Sequence, residues 1–67
     1  MNARQRPEPP RLALGPAEAA AALGVSREFF DTHVLPNLAV IRLGRRILVS
    51  VAELERWCAA NERRVIS

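Results

Sequence analysis

Arg42, Arg45 and Arg46 surround Gly44, and no acidic residue stands between positions 36 and 50. Guanidinium groups stay charged and fork onto phosphate oxygens. Three of them around a turn glycine have the chemistry of a phosphate grip, or of a tip entering a narrow groove. The plainer alternative is a solvated turn. Ser26, Arg27, Glu28 and Thr32 form a second candidate set. Arg27 can meet a phosphate or pair with Glu28 or Asp31. Thr32 can touch a base edge or simply face water. The Glu28 carboxylate can accept from a cytosine amino group, although it also repels phosphate. Arg4, Arg6 and Arg11 suit an arm that follows phosphates, or a tail that keeps the chain soluble.

Other chemistry finds little material. A serine nucleophile needs a nearby base oriented by a third group. Ser26 and Ser50 are both accounted for as helix caps, and His33 is the one histidine. Glu53 and Glu55 are two residues apart, so on a helix they face different sides. Gly15, Gly24 and Gly44 are isolated and make no phosphate-cradling loop. One histidine and one cysteine, Cys58, on separate elements do not make a zinc site. No enzyme activity, cofactor or metal is expected.

Charge is distributed unevenly. All ten basic residues are arginine and the net charge is +3. Residues 1–11 carry Arg4, Arg6 and Arg11 against Glu8. Residues 12–35 carry Arg27 against Glu18, Glu28 and Asp31. Residues 36–50 carry only arginines, and residues 51–67 balance. The positive charge therefore concentrates on an N-terminal arm and one mid-chain segment, a focused nucleic-acid footprint. Apolar content of 49% fits a folded chain, and 67 residues suffice for one small core. The chain has no membrane-length apolar run and no secretory-type start. With a lone cysteine, these point to the cytoplasm.

These side chains need elements to hold them. Pro16 suits the first position of a helix, Glu18 complements its dipole, and Ala19 to Ala22 favour it; Gly24 ends it near Leu23. Gly24 permits the positive φ of a tight turn. Ser26 then caps a second helix running from Ser26 or Arg27 to about Val34. Phe30 and Val34 share one of its faces, Phe29 and His33 the adjacent flank, and Glu28, Asp31, Thr32 and Leu35 the opposite side. Pro36 ends it. Ala39 to Leu43 and Arg46 to Val49 predict a β-hairpin about Gly44-Arg45, with Ile41 and Leu43 buried and the arginine side exposed. Ser50-Val51-Ala52-Glu53 is a capping box opening a third helix, with Val51, Leu54, Trp57 and Cys58 as its apolar stripe. His33 reads as a boundary packing residue and Trp57 as core. The expected class is α+β, mainly α, with three helices and one two-stranded hairpin. A flexible basic arm spans 1–11, the domain 12–62, and a frayed tail 63–67.

The order helix, turn, helix, hairpin, helix is that of a winged helix-turn-helix. The stretch Leu12 to Ala60 resembles the excisionase-like helix-turn-helix family, related in fold to the DNA-binding domain of mercury-resistance-type regulators. Leu14-Gly15-Pro16-Ala17-Glu18-Ala19-Ala20 resembles its first helix and Leu23-Gly24-Val25-Ser26-Arg27 its turn. Val40-Ile41-Arg42-Leu43-Gly44-Arg45-Arg46 resembles its wing, and Val49-Ser50-Val51-Ala52-Glu53-Leu54-Glu55-Arg56-Trp57 its last helix. Glu28, Asp31 and Thr32 depart from the basic or tyrosine residues usual on the family's second helix. The resemblance implies double-stranded DNA as ligand; the candidate contacts, read from the residues themselves, are Ser26, Arg27, Glu28, Thr32, Arg42, Gly44, Arg45, Arg46 and Arg11. It implies an excisionase that binds repeated sites cooperatively, bends DNA and positions an integrase, with no small-molecule effector. The alternatives are a small transcription regulator of a mobile element, or a protein-interaction module such as an antitoxin.

Overall fold

Gly15 and Gly24 bracket the first helix, α1 (Pro16–Leu23), in the computed structural model, which describes residues 11–63. Residues 1–10 of the expected arm, with Arg4 and Arg6, and residues 64–67 of the expected tail lie outside the described residues. Glu18 folds back so that its carboxylate accepts from the Gly15 N–H at 3.2 Å. At the other end Gly24 has φ +79°. Its N–H donates to the Ala21 carbonyl at 3.1 Å and the Val25 N–H to the Ala20 carbonyl at 3.0 Å. This pair is a Schellman motif, which satisfies the last carbonyls and turns the chain sharply. Ser26 immediately restarts it: its hydroxyl oxygen accepts from the Phe29 N–H at 3.0 Å. The expected Gly24 turn and Ser26 cap are both present.

The second helix is not one continuous α-helix. A single α-turn, α2 (Arg27–Phe29), widens into a π-helical segment at Phe30–Val34 and tightens into a 3-10 turn at Leu35–Asn37. In the wide turn the Leu35 N–H donates to the Phe30 carbonyl, five residues back. That wider turn corrects the expected position of Leu35. It sits above Phe30 and packs on the core instead of lying with Glu28, Asp31 and Thr32. Phe30 and Val34 are fully buried as expected. Pro36 does not end the helical path, because a 3-10 turn accepts it near its start. The Asn37 side chain then closes the turn by donating to the His33 carbonyl at 3.1 Å.

Two further strands follow, β2 (Ile41–Leu43) and β3 (Arg46–Ser50), joined through Gly44-Arg45. Gly44 has φ +60° and no non-glycine residue has positive φ. Glycine alone at the first central position is the type II′ pattern, whose twist matches a hairpin. The sheet has three strands, not the expected two. A two-residue strand, β1 (Ala13–Leu14), pairs antiparallel with the far end of β3, giving the order β1-β3-β2. Two residues carry no readable periodicity, so this strand exists only through its partner. The Val51 N–H extends the pairing to the Leu12 carbonyl at 2.8 Å.

Register then decides the faces. Arg42 lies opposite Ile47, Leu43 opposite Arg46, and Leu14 opposite Val49. Cross-strand partners share a face, so Arg42, Ile47, Val49 and Leu14 lie on one side, which Val49 defines as the inner one because it is fully buried. Ile41 and Leu43 lie on the outer side and are 41% and 58% exposed. The expectation that they are buried is therefore overturned, whereas Arg42 is exposed as expected even though it stands on the side that Val49 defines as inner. A shift of one residue in a strand exchanges its two faces, and alternation alone does not say which face meets the core.

The last helix, α3 (Val51–Asn61), begins at the expected cap, with the Ser50 hydroxyl accepting from the Glu53 N–H at 3.0 Å. Its return half is absent. Glu53 accepts instead from the Ala39 N–H at 2.8 Å, while Arg56 donates to both its oxygens at 2.8 and 2.9 Å. This carboxylate ties the segment entering β2 to α3, and the two contacts hold its carboxyl down to about 2, Arg56 first and the Ala39 N–H second. The core is Ala19, Ala20, Phe30, Val34, Leu38, Val49 and Leu54, with Trp57 packed at its margin. The alanines of α1 let the other elements approach closely, which is how so few residues close a core.

Candidate nucleic-acid interface

The hairpin tip presents the first group of candidate residues. Arg42, Arg45 and Arg46 are all exposed. None has a carboxylate within ion-pair distance among the described residues. Arg42 leaves the inner face of the sheet, Arg46 the outer face, and Arg45 the turn itself. The tip is thus positive on every side, and the Gly44 turn fixes the spacing of these charges. Arg46 also reaches α1 electrostatically. The Glu18 carboxyl is held below its ordinary range by the Gly15 N–H first, then by Arg11, and to a lesser degree by Arg46, against an opposing desolvation effect.

The two other candidate arginines within the described residues, Arg27 and Arg11, are spoken for. Arg27 donates through Nε to both Asp31 oxygens at 3.0 and 3.1 Å, the surface-pair alternative for that residue. Arg11 pairs with Glu18. Each pair is neutral as a unit, so neither arginine adds to the charge offered by the tip.

A second surface gathers Ser26, Glu28 and Thr32 with two residues that sequence reasoning did not assign a functional role, Phe29 and His33. Together they line an open hollow of about 310 Å³. Phe29 is 47% exposed and stacks obliquely on His33, with ring centroids 4.7 Å apart and planes at 46°. Their four-residue spacing, off the Phe30–Val34 face, pairs them in the sequence, but His33, expected as a boundary packing residue, is exposed. Glu28 has no cationic partner among the described residues. The hollow therefore combines a free carboxylate, two hydroxyls and an aromatic shelf, whereas the hairpin tip carries free cations.

The described residues contain no group of three histidine, cysteine, aspartate or glutamate side chains placed to hold a metal ion. Among them no helix is long and apolar enough to cross a membrane. No family model matches the chain, and neither a curated protein nor a solved structure matches it.

Proposed function

We propose that this chain is a winged helix-turn-helix DNA-binding protein and not an enzyme. In this reading α1, the Gly24 turn and the α2 path form the helix-turn-helix, and the β2–β3 hairpin is the wing. The α2 path approaches the major groove, and Arg42, Arg45 and Arg46 hold the backbone or the adjacent minor groove. The observation that carries the reading is the trio of arginines, free of carboxylates among the described residues, on a glycine-defined turn. A grip of roughly 3–5 phosphates is weak at physiological salt. Useful affinity then comes from several protomers side by side on repeated sites. That behaviour suits an excisionase acting in the cytoplasm, which coats and bends an attachment site and positions an integrase.

A second reading, a protein-interaction module, draws on the outward Ile41 and Leu43 and on the acidic side of the α2 path. Affinity selection of fragmented host genomic DNA on the purified protein, followed by sequencing, separates the possibilities. Clustered direct repeats beside an integrase gene are the expected enrichment. Promoter sites alone favour a transcription regulator, and no enrichment favours the interaction module.

A further inference from the structure

We propose that the hollow on the α2 path reads a pyrimidine step in duplex DNA, accepting from a cytosine amino group through Glu28 and packing Phe29 on a thymine methyl. This inference rests on the DNA-binding reading above and names what that surface recognises.

The argument is one of donors and acceptors. In the major groove guanine offers two acceptors and is met by Arg or Lys; adenine is met by the paired donor and acceptor of Asn or Gln. The hollow contains none of these four residue types: its lining is Ser26, Glu28, Phe29, Thr32 and His33. The nearest arginine, Arg27, is held on Asp31. An ionised carboxylate only accepts, and among base edges in the major groove cytosine presents the amino donor without a neighbouring acceptor on the same base. A lone carboxylate beside phosphates is unfavourable unless a donor meets it, so an unpaired Glu28 on this surface calls for such a partner.

Phe29 supplies the second half. Its neighbour Phe30 is fully buried and fills the core, whereas Phe29 is held outward against His33. An exposed phenyl ring is apolar area that water does not favour, and thymine is the base that carries an apolar group, its C5 methyl, on the groove edge. His33 stacks obliquely on the ring, and Thr32 lines the same hollow. The lining spans little more than two helical turns and the volume is about 310 Å³. Five lining side chains match one or two base edges and fall far short of the roughly 20–30 residues a side of a standard protein interface.

The test uses the full chain and a duplex library with a randomised central segment, with selection, sequencing and anisotropy measurements of the enriched duplex. Wild type is expected to enrich a cytosine–thymine step at one fixed position. Glu28→Ala is expected to lose roughly 5- to 100-fold discrimination at the cytosine while keeping salt-dependent binding. Replacing the thymine by deoxyuridine removes only the methyl and leaves the protein untouched. It is expected to weaken wild type about fourfold, as for one buried methylene-sized group, and to leave Phe29→Ala unchanged. Enrichment without a pyrimidine step overturns the proposal, as does a Glu28→Ala protein that binds all sequences equally more tightly. In both of these cases the DNA-binding reading survives. Failure to retain any duplex at low salt overturns that reading, and the proposal with it.

Discussion

Replacing Arg45 and Arg46 by alanine removes two of the three hairpin-tip guanidinium groups that have no carboxylate partner among the described residues. Each phosphate neutralised contributes about −0.9 to the slope of log affinity against log salt. Three free arginines set a slope of about −2.7, and one leaves about −0.9. Between 50 and 200 mM salt, wild type should therefore lose roughly 40-fold in affinity and the double variant only about 3- to 4-fold. The assay is fluorescence anisotropy on one labelled duplex at several salt concentrations, with circular dichroism to show that the fold is intact. Both side chains are exposed, so the fold should be unaffected. A control follows from the Arg27–Asp31 pair. Removing both members with Arg27→Ala and Asp31→Ala leaves the net charge unchanged, and the slope should stay at its wild-type value. An unchanged slope in the Arg45→Ala, Arg46→Ala protein would refute the assignment of the tip as the phosphate grip. A slope that collapses in the control instead would move the grip to the α2 path.

Other consequences concern the frame that holds these surfaces. Leu54 is 5% exposed in the core, so Leu54→Ala should cost roughly 2–5 kcal/mol. A chain this small has about 3–10 kcal/mol in total, and urea denaturation should show the midpoint falling to a fraction of its value. At Gly24, φ +79° is strained for any side chain although a Cβ there would meet nothing within 4 Å. Gly24→Ala should therefore lose roughly 1 kcal/mol net, a backbone cost of about 1–2 offset by about 0.4–1 from the stiffer unfolded chain. A thermal melt that moves upward would contradict this. The Glu53 carboxyl is held down to about 2 from 4.5. A carboxyl depressed on folding stabilises the native state above its ordinary value, and that contribution is lost as pH falls from about 4.5 toward 2. Melting temperatures measured from pH 6 to pH 2 should fall more gently for Glu53→Gln than for wild type. Parallel curves would show that the Ala39 and Arg56 contacts do not matter.

Local signals carried much of the frame. Pro16, Gly24, Ser26 and Ser50 mark boundaries because each satisfies or releases a backbone group regardless of distant partners, and each stands where its chemistry placed it. The stripe of α3 was also legible, since helical spacing alone selects Leu54 and Trp57. The second half of the capping box was not. Glu53 had a choice between its own helix end and the Ala39 N–H, fourteen residues away, and only the folded chain offers the second.

The candidate surfaces divide in the same way. That Arg42, Arg45 and Arg46 crowd one turn follows from composition and a single glycine. That they remain without carboxylate partners among the described residues, while Arg11 is neutralised by Glu18, depends on which carboxylates the fold brings near; the Arg27–Asp31 pair follows from four-residue spacing alone. The hollow at Phe29 and His33 depends on the path of one helix, whose widening at Phe30–Val34 turns Leu35 inward.

The sequence by itself determined the bounds of α1, the starts of α2 and α3, and where charge accumulates, because caps, turn glycines and arginines act through covalent neighbours. Tertiary structure alone decided the third strand, the face on which Ile41 and Leu43 lie, and the contact of Glu53 with the Ala39 N–H. Those outcomes hang on register and on side chains meeting across the fold, and strand alternation is the same whichever face is turned to the core.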